Sequence, residues 1–191
     1  MFEDDISYND EKYENIIFMK KLNSTNFYNC EFLNANFANA DLTDVYFDSC
    51  KFINCDFSNS QFPHYIIKNN FFDNCKILGG NFTETHIQNV KFVNCNLKYS
   101  NFTDANLQNI KFIDSNLTEV TFFIKKRTKI EFNNCDLTKA DFYQVQLSDL
   151  DFTTCNINGI RVSIDCLRNL TVTSLQAIYI SGLLGINIQD C

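Results

Sequence analysis

A large apolar residue recurs at every fifth position over most of this chain. The series opens with Leu22, Phe27, Phe32, Phe37 and Leu42 and closes with Phe152, Ile157 and Val162; of its 29 positions only Arg127 departs from the rule. Neither regular secondary structure tolerates such a period. Five residues of α-helix advance the side chain by about 500°, so the apolar set would wander round the whole surface. Five residues of strand turn it to the opposite face. The pattern demands a chain that bends after every five residues and points one residue of each short side at a common axis. That path is a solenoid of stacked coils.

The number of sides follows from what recurs between coils. Cysteines two positions before the apolar centre pair at a spacing of 20 (Cys30–Cys50, Cys55–Cys75, Cys75–Cys95, Cys135–Cys155) and never at 15. Phe32, Phe52, Phe72, Phe92, Phe112, Phe132 and Phe152 form an unbroken column at the same spacing, the expected structural core. Asn34, Asn54, Asn74, Asn94 and Asn134 form another, with Asp114 in its gap. Four sides per coil give about seven coils between residues 22 and 162, stacked at about 4.8 Å into a shaft of about 35 Å. The bias of parallel crossovers sets a right hand. At roughly 25 cal/mol per Å² of buried apolar area, the inward residues supply most of the stability.

Composition narrows the function. Gly (5) and Pro (1) are too scarce for a disordered chain or for many conventional turns. The net charge of −7 is unevenly spread, with −4 in residues 1–20 and +4 in residues 125–129. A mildly acidic body does not attract nucleic acid directly but suits a basic protein surface. The start, MFEDDISYNDEKYEN, is acidic without an apolar segment, and no run approaches 18 apolar residues. A cytoplasmic protein with no membrane contact is expected.

Chemistry-bearing constellations are sparse. The nine cysteines include no C-x-x-C pair, a poor zinc or redox pattern. Seven of them share a slot with Ala, Ser, Val and Thr and are expected to be small buried thiols. His64, Glu84 and His86 would lie close enough for a metal site, although two partly exposed corner histidines are the simpler reading. No Ser/His/Asp set, paired catalytic carboxylates or phosphate-cradling glycine loop is present. No catalytic, metal or cofactor-binding residue is assigned, and the expectation is a protein that is not an enzyme.

Two outer surfaces and one interruption stand out. Asp41, Asp44, Glu84, Asp104 and Asp141 share one side, either ordinary solvated surface or a negative strip that imitates a phosphate backbone. Leu33, Ile53, Val93 and Ile113 line another. The stretch TFFIKKRTKIEF (121–132) puts Lys125, Lys126, Arg127 and Lys129 where one apolar side is due. Phe132 still arrives in phase, so this is a replaced side and not an insertion. Two unpaired cations cannot stay in a Phe-lined axis. The side is expected to bulge out, with Ile124 or Ile130 plugging the gap, as a tolerated defect or as a protruding contact element.

The repeats ANFAN (35–39), ADLTD (40–44), CDFSN (55–59), SNLTE (115–119), CDLTK (135–139) and ADFYQ (140–144) resemble the pentapeptide-repeat family, with Phe often replacing Leu at the centre. The resemblance covers about 140 residues in one phase and implies that family's fold, an all-β right-handed quadrilateral β-helix. The tail GIRVSIDCLRNLTVTSLQAIYISGLLGINI (159–188) resembles the Qnr-like, gyrase-protecting branch, in which a short C-terminal α-helix caps the last coil and pairs two monomers. The residues themselves support a helix. Thr173 and Gln176 make a capping box, Gly185 fits a stop, and apolar residues recur at helical spacing. A homodimer through Leu175, Ile178, Tyr179, Leu183, Leu184 and Ile186 is expected. The resemblance further implies a bacterial DNA mimic that binds DNA gyrase or topoisomerase IV and confers resistance to quinolones or gyrase poisons. A structural or adaptor rod with another protein partner is the alternative. The expected division is an acidic segment over 1–16 as a candidate cap, a β-helix over 17–163, and a helical cap and dimerisation segment over 164–191.

Overall fold

The computed structural model describes residues 2–18, 21–62, 66–183 and 185–189. The chain winds into a parallel β-solenoid of about eight turns, with one short helix, Ser174–Leu183, at its C-terminal end. Each coil repeats after 20 residues: Phe27 pairs with Phe47, Phe32 with Phe52, and Leu107 with Ile87, all in parallel ladders. Most strands on these sides are only three or four residues long.

The bend after every fifth residue has a backbone cause. Asn29, Asn34, Asn39, Asn54, Asn59, Asn69 and Asn74 all have φ between 52° and 59°. This left-handed region is costly for most side chains, and Asn tolerates it better than nearly any other residue except Gly. Gly79 serves the same corner at φ 65°, where a Cβ would come within 2.7 Å of the Asn59 side chain. Corner amides then bond along the shaft. The Asn54 Nδ2 donates to Asn34 at 3.3 Å and that of Asn74 to Asn54 at 2.7 Å, while Asn89 and Asn109 continue a second ladder from Asn69 at 3.0 Å per step.

Side chains at the apolar centres fill the axis. Successive rings of the Phe32 column stack face to face, 4.7 Å apart for Phe52–Phe72 and 5.2 Å for Phe112–Phe132. The column ends with a T-shaped Phe132–Phe152 pair at 73°. A neighbouring column stacks Phe62, Phe82, Phe102, Phe122 and Phe142 in the same way. Each such pair adds about 0.5–1.5 kcal/mol beyond its buried area.

The ladder extends past both expected boundaries. Ser7–Asn9 and Lys12–Glu14 are strands that pair with Thr25–Tyr28 and Glu31–Leu33. Residues expected as a separate segment therefore form the first coil. Its register is 19, with Tyr8 opposite Phe27 and Tyr13 opposite Phe32, so its inward residues Tyr8, Tyr13 and Phe18 run one position out of phase with the rest. Phe2 lies across this end, edge-on to Tyr8, Tyr13 and Phe27. At the other end the main chain keeps stacking to Thr171, whose carbonyl accepts the Phe152 N–H at 2.9 Å. The repeat structure thus outlasts the expected limit at 163.

Candidate functional site

The replaced side begins at a corner that fails. Corners at Glu84 and Asp104 have φ of 59° and 56°, but Ile124 and Lys129, the corners bounding the replaced side, are not left-handed. A β-branched residue strongly resists that conformation, and the chain leaves its path. Lys125 is exposed, and its N–H takes the Ala105 carbonyl at 3.1 Å. In the coil below, the Asn106 N–H, one position later in the repeat, donates to Thr85. Lys126–Arg127 then regain register against Asn106 and Leu107.

The expected bulge out of the shaft is therefore corrected: this side stays bonded to the coil below and separates only from the coil above. No backbone hydrogen bond joins residues 125–129 to 145–149. In the regular coils the N–H of each column residue, and of the residue two later, donates to carbonyls one coil on, as when Asn29 donates to Asp48. The corresponding carbonyls here belong to Gln146 and Ser148. The Arg127 guanidinium takes both, with Nε to Gln146 at 2.9 Å and Nη2 to Gln146 at 2.6 Å and Ser148 at 2.7 Å. The cation thus leaves the axis and replaces two missing rungs. Ile130 is buried, and Ile124 packs partly against the core.

Lys129 joins Lys111 on the Glu131 carboxylate, each at 2.7 Å. Lys125 and Lys126 are exposed and take no carboxylate partner among the described residues.

Of the five acids on the expected side, two are held by the scaffold. Asp41 accepts the Thr43 hydroxyl at 2.6 Å and its N–H at 3.1 Å, and pairs with Lys21 at 3.1 Å. The Thr43 hydrogen bond holds its carboxyl below the ordinary value. Asp141 accepts the Tyr143 N–H at 2.8 Å and pairs with Arg161 at 3.1 Å. Between them the ladder runs through Gln61, Asn81, Asn101 and Thr121, four neutral rungs spanning about 24 Å from one carboxylate to the other at 4.8 Å per rung. Glu84 and Asp104 sit at left-handed corners, and Asp44 lies in the equivalent turn without a positive φ. The acids do not form a continuous strip. The aliphatic row Leu33, Ile53, Val93 and Ile113 is half-buried, and Asp73 interrupts it.

At the C-terminal end the capping box is present in both directions. The Thr173 N–H donates to Gln176 Oε1 at 2.8 Å, and the Gln176 N–H donates to Thr173 Oγ1 at 3.2 Å. Gln176 Nε2 also donates to the carbonyls of Phe152 and Cys155, both at 2.8 Å, and so joins the helix to the last coil. Gly185, at φ 72°, closes the helix: its N–H bonds to Gly182, and that of Ile186 to Ser181, the paired bonds of a Schellman stop. Ile180 is buried against the shaft. Tyr179 faces the same way and not outward as expected, its hydroxyl accepting the Gly159 N–H at 2.7 Å. Leu175 is 79% exposed, and Ile178, Leu183 and Ile186 are 50%, 48% and 54% exposed. Leu184 and His64 lie outside the described residues.

His86 bonds to Asn106, whose Nδ2 is 3.0 Å from Nε2. Among the described residues no group of three or more His, Cys, Asp or Glu is arranged to hold a metal ion. No helix among them is long and apolar enough to cross a membrane.

The cysteine slot holds small or aliphatic buried residues, Ala35, Val45, Val90 and Ala140 among them, and where it holds a polar one that side chain finds a backbone acceptor in most coils. The thiols of Cys50, Cys55, Cys75 and Cys135 donate to carbonyls of Phe27, Phe32, Phe52 and Phe112, 23 residues earlier, at 3.3–3.4 Å. Ser60, Asn70 and Ser100 do the same at 2.7, 2.9 and 2.8 Å. Burial pushes the Cys50 thiol up to about 12. The neighbouring thiols of Cys55 and Cys95, together with burial, raise Cys75.

Two family models match this repeating architecture. "Pentapeptide repeat region" covers residues 45–122, and "Pentapeptide repeats (8 copies)" covers residues 21–62 and 129–159. The chain belongs to the pentapeptide-repeat family. No curated protein matches the sequence. Among solved pentapeptide-repeat structures, a trypsin-treated variant of QnrB1, described as a plasmid-mediated fluoroquinolone resistance protein, is 17% identical, with TM-score 0.48 over 96% of this chain and 100% of its own. HetL, involved in heterocyst differentiation regulation in the cyanobacterium Nostoc sp. strain PCC 7120, is 10% identical, with TM-score 0.37 over 88% and 87%. A pentapeptide repeat protein of the Arabidopsis thaliana thylakoid lumen is 25% identical, with TM-score 0.29 over 57% and 69%.

Proposed function

We propose that this pentapeptide-repeat protein is a non-enzymatic binding rod that doubles end to end through its terminal helix and engages a type II topoisomerase, DNA gyrase or topoisomerase IV, as a mimic of DNA. The observation that carries the reading is the two-sided helix. Its inner face is committed to the shaft through Gln176, Tyr179 and Ile180, while Leu175, Ile178, Leu183 and Ile186 remain in solvent. Apolar side chains grouped on the end of a rigid element mark a contact surface. The resemblance of the tail to the gyrase-protecting branch supplies the kind of target. Binding would act by shape and charge, with no bond made or broken.

Purified gyrase supercoiling plasmid in the presence of ciprofloxacin tests the target, with and without this protein. Protection of supercoiling is expected; absence of both protection and binding rejects the topoisomerase. Sedimentation of the protein alone tests the doubling separately. One observation favours the second reading, an adaptor rod for another protein. The acidic side is broken by four neutral rungs between Asp41 and Asp141, which makes it a poor copy of an evenly charged phosphate backbone.

A further inference from the structure

The replaced side stands next to a depression that neither reading uses. Its volume is about 350 Å³, and Ile66, His86, Gln88, Asn106, Gln108 and Lys126 line it together with the buried Ile87. These residues belong to consecutive rungs of one face, since His86 pairs with Asn106, Asn106 with Lys126, and Gln88 with Gln108. The chemistry of this face is one-sided. Gln88 and Gln108 are exposed, and their side-chain amides have no partner among the described residues. Lys125 and Lys126 are likewise exposed without a carboxylate. No acid lines the depression. Farther down the same face Asp48 is already neutralised by Lys68 at 3.0 Å.

The four cations of the break therefore divide by role. Arg127 is spent on the carbonyls of Gln146 and Ser148, and Lys129 on Glu131. Lys126, in the short strand Lys126–Arg127, and Lys125 just before it are left exposed on a side that Arg127 ties to the next coil. Unpaired ammonium groups beside free amide donors and an exposed isoleucine suit a ligand that brings carboxylates and some apolar surface. Nucleic acid is disfavoured, because the chain carries −7 overall and repels a polyanion at longer range.

We infer that the face bounded by His86, Gln108 and Lys126 is a docking site for an acidic, extended segment of a partner protein, with Lys125 and Lys126 as its charged contacts and Arg127 as the residue that positions them. This site is independent of whatever the acidic side or the terminal helix binds.

Fluorescence anisotropy with a labelled Glu-rich decapeptide tests the site on the full-length protein. A Ser/Asn decapeptide and a single-stranded oligonucleotide of equal charge serve as comparison probes. The acidic peptide should bind saturably, more weakly as salt is raised. K125E/K126E should weaken binding at least tenfold, whereas K91E, on a different side of the coil, should leave it within twofold. Q88A/Q108A should weaken it severalfold with no change in thermal melting, which keeps the test valid if the double charge reversal impairs folding. Absence of binding, equal loss in K91E, or preference for the oligonucleotide would overturn the proposal.

Discussion

Arg127 donates from Nε and Nη2 to the main-chain carbonyl of Gln146, at 2.9 and 2.6 Å, across a seam of the shaft where no backbone hydrogen bond joins residues 125–129 to 145–149. A side chain here takes the place of two peptide N–H groups. Hydrogen bonds to a charged group contribute about 1.5–3 kcal/mol, less where water competes. Replacing Arg127 with Met should cost about 1–2 kcal/mol in urea unfolding. R127K keeps the charge but not the planar fork and should recover less than half of that loss. Equal stability of all three proteins would show that the guanidinium does not hold the seam.

The helix should detach before the shaft melts. Gln176 makes hydrogen bonds to Thr173, Phe152 and Cys155 with one side chain. Q176A should lower helix stability by about 2 kcal/mol, seen as faster amide exchange over residues 174–183 with unchanged exchange in the Phe32 column. Uniform acceleration along the chain would refute a local role.

Charge on the outer face of that helix should act differently. L175E and I178E alter exposed residues and should leave melting within about 0.5 kcal/mol. Each should nevertheless convert a sedimenting dimer to a monomer. A wild-type protein that is monomeric at all concentrations would remove the end-to-end pairing from the proposed function.

Acid should loosen the shaft. The carboxyls of Asp41 and Asp151 are lowered by the hydroxyls of Thr43 and Thr153, and that of Glu131 by Lys111 and Lys129. A lowered folded-state pKa means the unfolded chain binds more protons, so stability rises with pH through the titration. The contribution is complete above an unfolded value of about 4 and is lost as pH falls through the folded value. Melting temperature should therefore hold from pH 7 to 5 and drop below about pH 4. D41N/D151N should flatten the drop without breaking the turns, because Asn81 and Asn101 already accept the same bonds from Thr83 and Thr103.

Thiol reagents should find little to react with. Cys30, Cys50, Cys55, Cys75, Cys95, Cys135 and Cys155 are buried; burial raises Cys50, whereas the neighbouring thiols of Cys75 and Cys135 lower Cys55 and Cys155, so it is access that limits reaction. In a C191S background these seven should label slowly when native and at once in guanidinium. Rapid native labelling of the Cys55–Cys75–Cys95 column would show that it is accessible.

Much of this fold can be read from spacing, because one residue in every five is a large apolar side chain buried on the axis. The Phe32 column and the capping box follow from that rule and from helix-end chemistry. The first coil escaped it for a simple reason. Tyr8, Tyr13 and Phe18 keep the period of five but sit one residue out of phase, and a column test tied to a single phase misses them. The hydrogen bonds that Cys50 and Ser60 donate from that slot were hidden because Cys and Ser are also small. The fate of Arg127 was not legible at all. Its position says that the axis is closed to it, but the carbonyls it finds are those of Gln146 and Ser148, left free only once the corners at Ile124 and Lys129 fail.

The two ends of the rod are finished unlike each other. A stack of parallel coils is open at both edges, and each edge is a template on which another copy could build a fibre. Here Phe2 lies across the first coil, whose register is already one residue short, so no regular coil can be laid on it in phase. At the helical end Leu175, Ile178, Leu183 and Ile186 are exposed. Under the proposed pairing through the helix, an out-of-phase first coil would let each rod join a single twin, and growth would stop there.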